Sequence, residues 1–316
     1  MCPLNENSSG FFICYNQTMI ETHQIQIDGV NIFYKTVGDK SKQTAVFLHG
    51  WPGVMLAKST LLEELAKDYF VIAPIHPGYL ESEPLRNYND ILEQYADVVF
   101  KILSIEGKDN EKLVVLGQSF GATVASIFAE KYKENIKAVV FVSSFMCTRK
   151  QDFIRKLLWN FGGLIIRSFL YLPTKLKKRG LYAFFGLQST NNTWKYNNAL
   201  IRARIGLIDN STKIFRESMR KDGNLLDRPY GNFPIIFCQG DVDGKSLNVY
   251  GYSPMDEGAK LFEKLKSEGK RVDFIELKGG HDILYKNPKY VLEKIKEVFG
   301  TDFSFSDKVN LYLQQV

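Results

Sequence analysis

A serine set between two glycines stands at the junction of an apolar run and a helical one. The stretch is Leu116-Gly117-Gln118-Ser119-Phe120-Gly121. Before it, Glu111 to Val115 leads into a short apolar run that reads as a buried strand. After it, Ala122 to Lys133 reads as a helix, with small residues at Gly121, Ala122 and Ala125. Gly-x-Ser-x-Gly between a strand and a helix is the pattern of a nucleophile elbow. Such a turn is sharp and strains the serine, and the flanking glycines let strand and helix crowd together. It lifts the hydroxyl of Ser119 above the sheet and aims the first N–H groups of the helix at whatever that hydroxyl attacks.

A serine hydroxyl is a weak nucleophile at neutral pH. It needs a base within hydrogen-bond reach, and the base needs a carboxylate to orient it. Four histidines are available. His23 falls in a predicted strand and reads as a surface or packing residue. His49 directly precedes Gly50 and reads as a brace for its own loop. His76 follows a strand end and is a candidate to line the site. His281 is the candidate base. It follows the predicted strand Arg271 to Leu277 and the turn Lys278-Gly279-Gly280, and it precedes the last helix, which puts it on a loop at a carboxyl strand end. The carboxylate is expected from Gln239-Gly240-Asp241-Val242-Asp243-Gly244, which offers two candidates. Asp243 lies farther out, is followed by glycine and is free to turn toward His281. Asp241 is placed to tie down the turn. Asp243 is the preferred acid, giving the chain order Ser119, Asp243, His281.

These residues need elements to position them. Thr22 to Ile27 and Val30 to Val37 read as a hairpin joined by Asp28-Gly29. Thr44 to Leu48, Phe70 to Pro74, Ile136 to Val142 and Phe233 to Cys238 are continuous apolar runs, the mark of buried parallel strands. Helical spacing covers Leu56 to Tyr69, Asp90 to Ile105, Glu257 to Gly269 and Pro288 to Phe299. Strands alternating with helices demand an α/β fold with a mostly parallel sheet and helices on both faces. Ligands bind such sheets at the carboxyl ends of the strands, where the dense loops fall. From about Phe145 to Tyr230 the strand signals vanish. Phe153 to Leu172, Thr174 to Phe185, Asn192 to Ile208 and Thr212 to Lys221 read as helices. The expected organisation is a core in two parts, 22–145 and 231–300, divided by a helical cap at 146–230. Residues 1–21 and 301–316 are terminal extensions.

These motifs resemble the α/β-hydrolase superfamily, in the cap-bearing branch that includes epoxide hydrolases, dehalogenases, esterases and carbon–carbon-bond hydrolases. His49-Gly50-Trp51-Pro52-Gly53 is similar to its oxyanion loop, Gly117-Gln118-Ser119-Phe120-Gly121 to its elbow, Gly240-Asp241-Val242-Asp243 to its acid loop and Gly280-His281 to its histidine loop. The resemblance spans about residues 22 to 300 and implies an oxyanion hole made by the backbone N–H groups of Trp51 and Phe120. His76 and Gln118 are the expected substrate contacts. Two departures stand out. Where the family often has Asp-x-Pro-Gly-x-Gly-x-Ser, this chain has Ile75-His76-Pro77-Gly78-Tyr79-Leu80-Glu81-Ser82. The nucleophile position holds serine, whereas the epoxide hydrolases and dehalogenases of this branch use aspartate.

Composition bounds the rest. The 316 residues, 45% hydrophobic and 24% charged, suit a globular protein with one large α/β domain and an insertion. The net charge of +6 is uneven: between Arg149 and Ala183 nine basic residues face one acid. No nucleic-acid motif accompanies them, so the expectation is no nucleic acid; the basic residues read first as a solvated face, with a peripheral membrane contact through the basic cap or an acidic substrate as the alternative. Cap aromatics such as Trp159, Phe161, Phe169 and Tyr171 point to a small-molecule substrate with an apolar part. Cys2, Cys14, Cys147 and Cys238 show no metal spacing and no disulfide framework. Residues 1–20 lack a basic stretch and a long apolar run, and no stretch is long enough for a membrane span. The expectation is a cytoplasmic protein needing no metal and no cofactor. The expected function is a serine hydrolase that cleaves a carboxylic ester through an acyl-enzyme on Ser119. The same triad suits an amide or peptide hydrolase, a carbon–carbon hydrolase or a lyase, and a non-enzymatic binding protein of this fold is the alternative from another class.

Overall fold

The computed structural model describes residues 19–51, 53, 59–87, 90–144, 228–241 and 254–299. The predicted helices between Phe153 and Lys221, Asp243, Cys2, Cys14, Cys147, residues 1–18 of the N-terminal extension and the C-terminal extension lie outside the described residues, and Glu21, placed in that N-terminal extension, opens the first strand. The order of elements is β1 (Glu21–Ile27), β2 (Val30–Val37), β3 (Thr44–Leu48), α1 (Ser59–Ala66), β4 (Phe70–Pro74), α2 (Ile91–Ile105), β5 (Leu113–Gln118), α3 (Phe120–Lys131), a single 3-10 turn at Lys133–Asn135 and β6 (Ile136–Val142). Then follow β7 (Ile235–Gly240), α4 (Pro254–Ser267), β8 (Val272–Leu277), α5 (Ile283–Lys286) and α6 (Pro288–Phe299).

The eight strands form one sheet in the order β1-β2-β4-β3-β5-β6-β7-β8. β1 pairs β2 antiparallel and β2 pairs β4 antiparallel, while every pairing from β4 through β8 is parallel. The hairpin turns at Asp28, in the left-handed region at φ 52°, and Gly29. The parallel strands are apolar from end to end because both faces are covered: Val46, Phe47, Val71, Ile72, Val115, Val140 and Ile236 are all fully buried. α2 packs with α3, and α1 with α6. Helix α2 buries Ile91, Leu92, Tyr95, Ala96, Val98, Val99, Ile102 and Leu103, the stripe its spacing predicts.

The sheet is continuous across the segment that separates β6 from β7, since Val139 to Val142 pair with Ile235 to Cys238. Arg228, where the described chain resumes, is clamped to the core. Its guanidinium lies 2.9 Å from Glu93 on α2 and 2.8 Å from Glu130 on α3. Among the described residues no helix is long and apolar enough to cross a membrane.

Candidate active site

Parallel register decides which loops meet. Leu48 pairs Gly117, so the loop after β3 emerges beside the turn after β5. Gln118 pairs Val142, and the N–H of Ser119 donates to the Val142 carbonyl at 3.0 Å. Gly240 pairs Leu277, so the loops after β7 and β8 also leave the sheet together.

Ser119 is held at φ 54° and ψ −120°, a conformation a residue with a Cβ rarely adopts. Strain of this kind costs on the order of 1–3 kcal/mol and persists only where the surroundings enforce it. Here they do. Ser119 caps α3, its carbonyl accepting the Ala122 N–H at 2.9 Å. A side chain at Gly117 would stand 2.5 Å from the Gly121 carbonyl oxygen, and one at Gly121 would collide with the backbone carbonyls of Leu48 and His49. Only glycine lets the strand, the helix and the β3 loop converge on the serine. Ser119 is 8% exposed.

Nε2 of His281 lies 2.8 Å from Oγ of Ser119, across 162 positions of sequence. A neutral imidazole accepts the hydroxyl proton at that distance, which is the geometry of a base beside its nucleophile. His281 follows β8 and the turn through Gly279, and the short helix α5 begins two residues later, with Asp282 between. The turn is fixed from the neighbouring loop. Oδ1 of Asp241 accepts the Gly279 N–H at 3.0 Å, and the Asp241 N–H donates to the Leu277 carbonyl at 2.8 Å. Asp241 thus ties the end of β7 to the turn ahead of His281.

The loop after β3 lies against the nucleophile. A Cβ at Gly50 would stand 2.9 Å from Cβ of Ser119 and 3.0 Å from the Gln118 carbonyl oxygen. The Gly53 N–H donates to the Gly50 carbonyl at 2.8 Å, closing a turn with Gly53 at φ 85°. Trp51 is half-buried at the core margin, and Phe120 is fully buried as the first residue of α3.

His49 and His76 are buried together behind this loop. Nδ1 of His49 donates to the Gly50 carbonyl at 2.9 Å, and Nε2 accepts the His76 backbone N–H at 3.1 Å. Nε2 of His76 donates in turn to the His49 carbonyl at 3.1 Å. These bonds assign one tautomer to each ring. Burial pushes the His49 pKa down to about 4. Burial first, then the neighbouring His49, hold His76 well below its usual range. The His76 ring also stacks on Tyr95 and meets Tyr79 and Phe120 edge-on. It supports the β3 loop from behind, whereas its place in the sequence suggested the wall of the site. His23 is remote, stacked on Tyr34 and bonded to Thr36 at 2.7 Å.

Leu80 occupies the departure from the family pattern. It is at φ 48°, the left-handed region that a glycine adopts freely. Cys238 on β7 is a buried free thiol, and burial pushes its pKa up. Among the described residues no group of three or more His, Cys, Asp or Glu side chains is arranged to hold a metal ion.

The family model for the alpha/beta hydrolase fold matches residues 45–173. A Mycoplasma genitalium protein named as an esterase/lipase is 31% identical over 113 residues, 34% of this chain and 37% of that protein. A soluble epoxide hydrolase of a Corynebacterium species is 34% identical over 113 residues, 35% of this chain and 37% of that protein. The match thus spans little more than a third of the length of these curated relatives. The solved structure of a 2-hydroxy-6-oxo-6-phenylhexa-2,4-dienoate hydrolase from a Rhodococcus species is alike in fold, with a TM-score of 0.64 at 17% identity over 89% of this chain and 99% of that one. The chain is an α/β-hydrolase-fold protein related to epoxide hydrolases and to esterases and lipases.

Proposed function

We propose that the protein is a serine hydrolase that cleaves carboxylic esters with an apolar moiety. The observation that carries this reading is the 2.8 Å approach of His281 Nε2 to Oγ of a strained Ser119. Oγ attacks the ester carbonyl while His281 takes its proton. The oxygen that becomes negative is bound by the backbone N–H groups of Trp51 and Phe120, each such donor worth about 3 kcal/mol. His281 returns the proton to the leaving alkoxide, and the alcohol departs. Water then attacks the acyl-enzyme, with His281 again as base, and releases the acid and free Ser119.

Asp243 orients His281 in this reading. It is supported by the occupation of the other candidate, since the Asp241 carboxylate accepts the Gly279 N–H. The serine itself argues against epoxide opening, the named activity of one relative. Serine attack on an epoxide carbon would leave an ether, which has no carbonyl for water to attack, so the enzyme would turn over once. An aspartate leaves an ester, which water can cleave. The apolar substrate preference rests on the aromatic residues between Phe153 and Phe185, and the basic residues between Arg149 and Arg179 supply the charge for a contact with anionic membrane.

A panel of p-nitrophenyl esters with acyl chains of increasing length tests this. The parent should turn over, and Ser119→Ala should lose at least about 1,000-fold in kcat. Turnover retained by Ser119→Ala would overturn the assignment. Amide and carbon–carbon substrates in the same panel separate the ester reading from its neighbours.

A further inference from the structure

Two consecutive residues hold His281. Ser119 meets its ring at 2.8 Å, and the side-chain amide of Gln118 donates from Nε2 to its backbone carbonyl at 3.2 Å. Gln118 ends β5 and is 4% exposed. The other side of its amide is also fixed. Oε1 of Gln118 sits where a side chain on Gly50 would be, and Cβ of Ser119 lies beside the same space. The Gln118 amide is thus wedged between the β3 loop, which carries Trp51, and the loop that carries His281.

We propose that Gln118 is a positioning residue that sets the distance between His281 and Ser119. This rests on the hydrolase reading above. A histidine held only through its ring can pivot and drift on a loop, and a second anchor on its own backbone removes that freedom. Both anchors are adjacent residues of one buried strand end, so His281 and Ser119 move as one unit. The cost of losing the anchor is a longer or misaligned proton transfer, and misplacement of reacting groups by about 1 Å is worth up to about 100-fold in rate. Gln118 is one of the two substrate contacts expected from the sequence. Its amide donor faces the His281 carbonyl, and its amide oxygen faces Gly50.

The two roles separate kinetically. Gln118→Leu and Gln118→Met keep much of the volume and remove the donor. Each should lower kcat by about 10- to 100-fold, with KM within about twofold and by the same factor on short and long esters. The rate of inactivation by a fluorophosphonate should fall in parallel. Gln118→Glu places a carboxylate beside His281 and should raise the acid-limb pKa of kcat/KM by about one unit. A folded Leu or Met variant with parental kcat and inactivation rate overturns the proposal. So does a loss confined to KM that varies with acyl length, because that is the signature of a substrate contact. Should both fail to fold, the Glu variant decides through its pH profile, and an unmoved acid limb counts against the proposal. A parent that neither turns over nor reacts would overturn the hydrolase reading first, which distinguishes the two failures.

Discussion

The backbone N–H of His76 donates to Nε2 of His49 at 3.1 Å, and the ring of His76 donates back to the His49 carbonyl at 3.1 Å. The two residues come from loops 27 positions apart and lock the β3 loop from behind with both rings neutral. A proton added to Nε2 of His49 would set two donors against each other.

This lock makes stability sensitive to acid. His49 titrates at about 4 in the folded protein against 6.5 when unconstrained. Between those values the unfolded chain binds more protons, so stability is complete above pH 6.5 and falls as pH drops toward 4. The loss is on the order of 3 kcal/mol from His49 alone, with His76 adding in the same direction. Carboxylates such as Glu106 act below about 4.5, so the interval from pH 6.5 to 5 isolates the histidines. Urea midpoints across that interval should fall, and the fall should shrink in His49→Gln. A flat profile would contradict the lock.

Gly121→Ala should cost more than about 3 kcal/mol or prevent folding, because the new methyl meets the Leu48 and His49 carbonyls and neither is a flexible side-chain end. Gly269→Ala is the matched control. It has open space but φ 71°, and should cost only about 1 kcal/mol. Denaturant titration of the two variants reads the difference directly.

Leu80→Gly would relieve a left-handed leucine, worth about 1–2 kcal/mol. It would also remove a side chain that is 6% exposed and faces the Gly53 turn, worth about 2–5 kcal/mol. Burial wins, and the variant should be the less stable one in denaturant titration. A gain in stability would show that the strain dominates.

The acid assignment separates by the same logic. Asp243→Asn should lower kcat by about 10,000-fold, because an amide cannot stabilise an imidazolium. Asp241→Asn keeps an oxygen for the Gly279 N–H and should stay within about tenfold of the parent. Asp241→Ala should lose about 1–2 kcal/mol of stability. Parallel ester kinetics and denaturant titrations check all three variants, and a reversed pattern would move the acid to Asp241.

Most of the sheet was legible because buried parallel strands are continuous apolar runs. Thr44–Leu48, Phe70–Pro74 and Ile136–Val142 fall where that pattern puts them, and the antiparallel Val30–Val37 falls where its hairpin turn puts it. Apolarity failed at carboxyl ends. β7 runs on to Gly240, two residues past the apolar stretch, because Gln239 and Gly240 pair with Glu276 and Leu277. α3 starts at Phe120, two residues earlier than its spacing suggests, because the strained serine is itself the cap. α5 is four residues long, too short for any periodicity to announce. Ser119 and His281 were readable from turn chemistry and strand order. The bonds of Gln118 and His76 were not, since each joins loops whose approach depends on sheet register and on glycines with no room for a side chain.

Activation of Ser119 is tested by locating the adduct of a fluorophosphonate by mass spectrometry of the digested protein. One phosphonyl group is expected on the peptide containing Ser119, absent from Ser119→Ala and formed far more slowly in His281→Ala. A folded protein that carries no adduct, or carries it elsewhere, would contradict that activation.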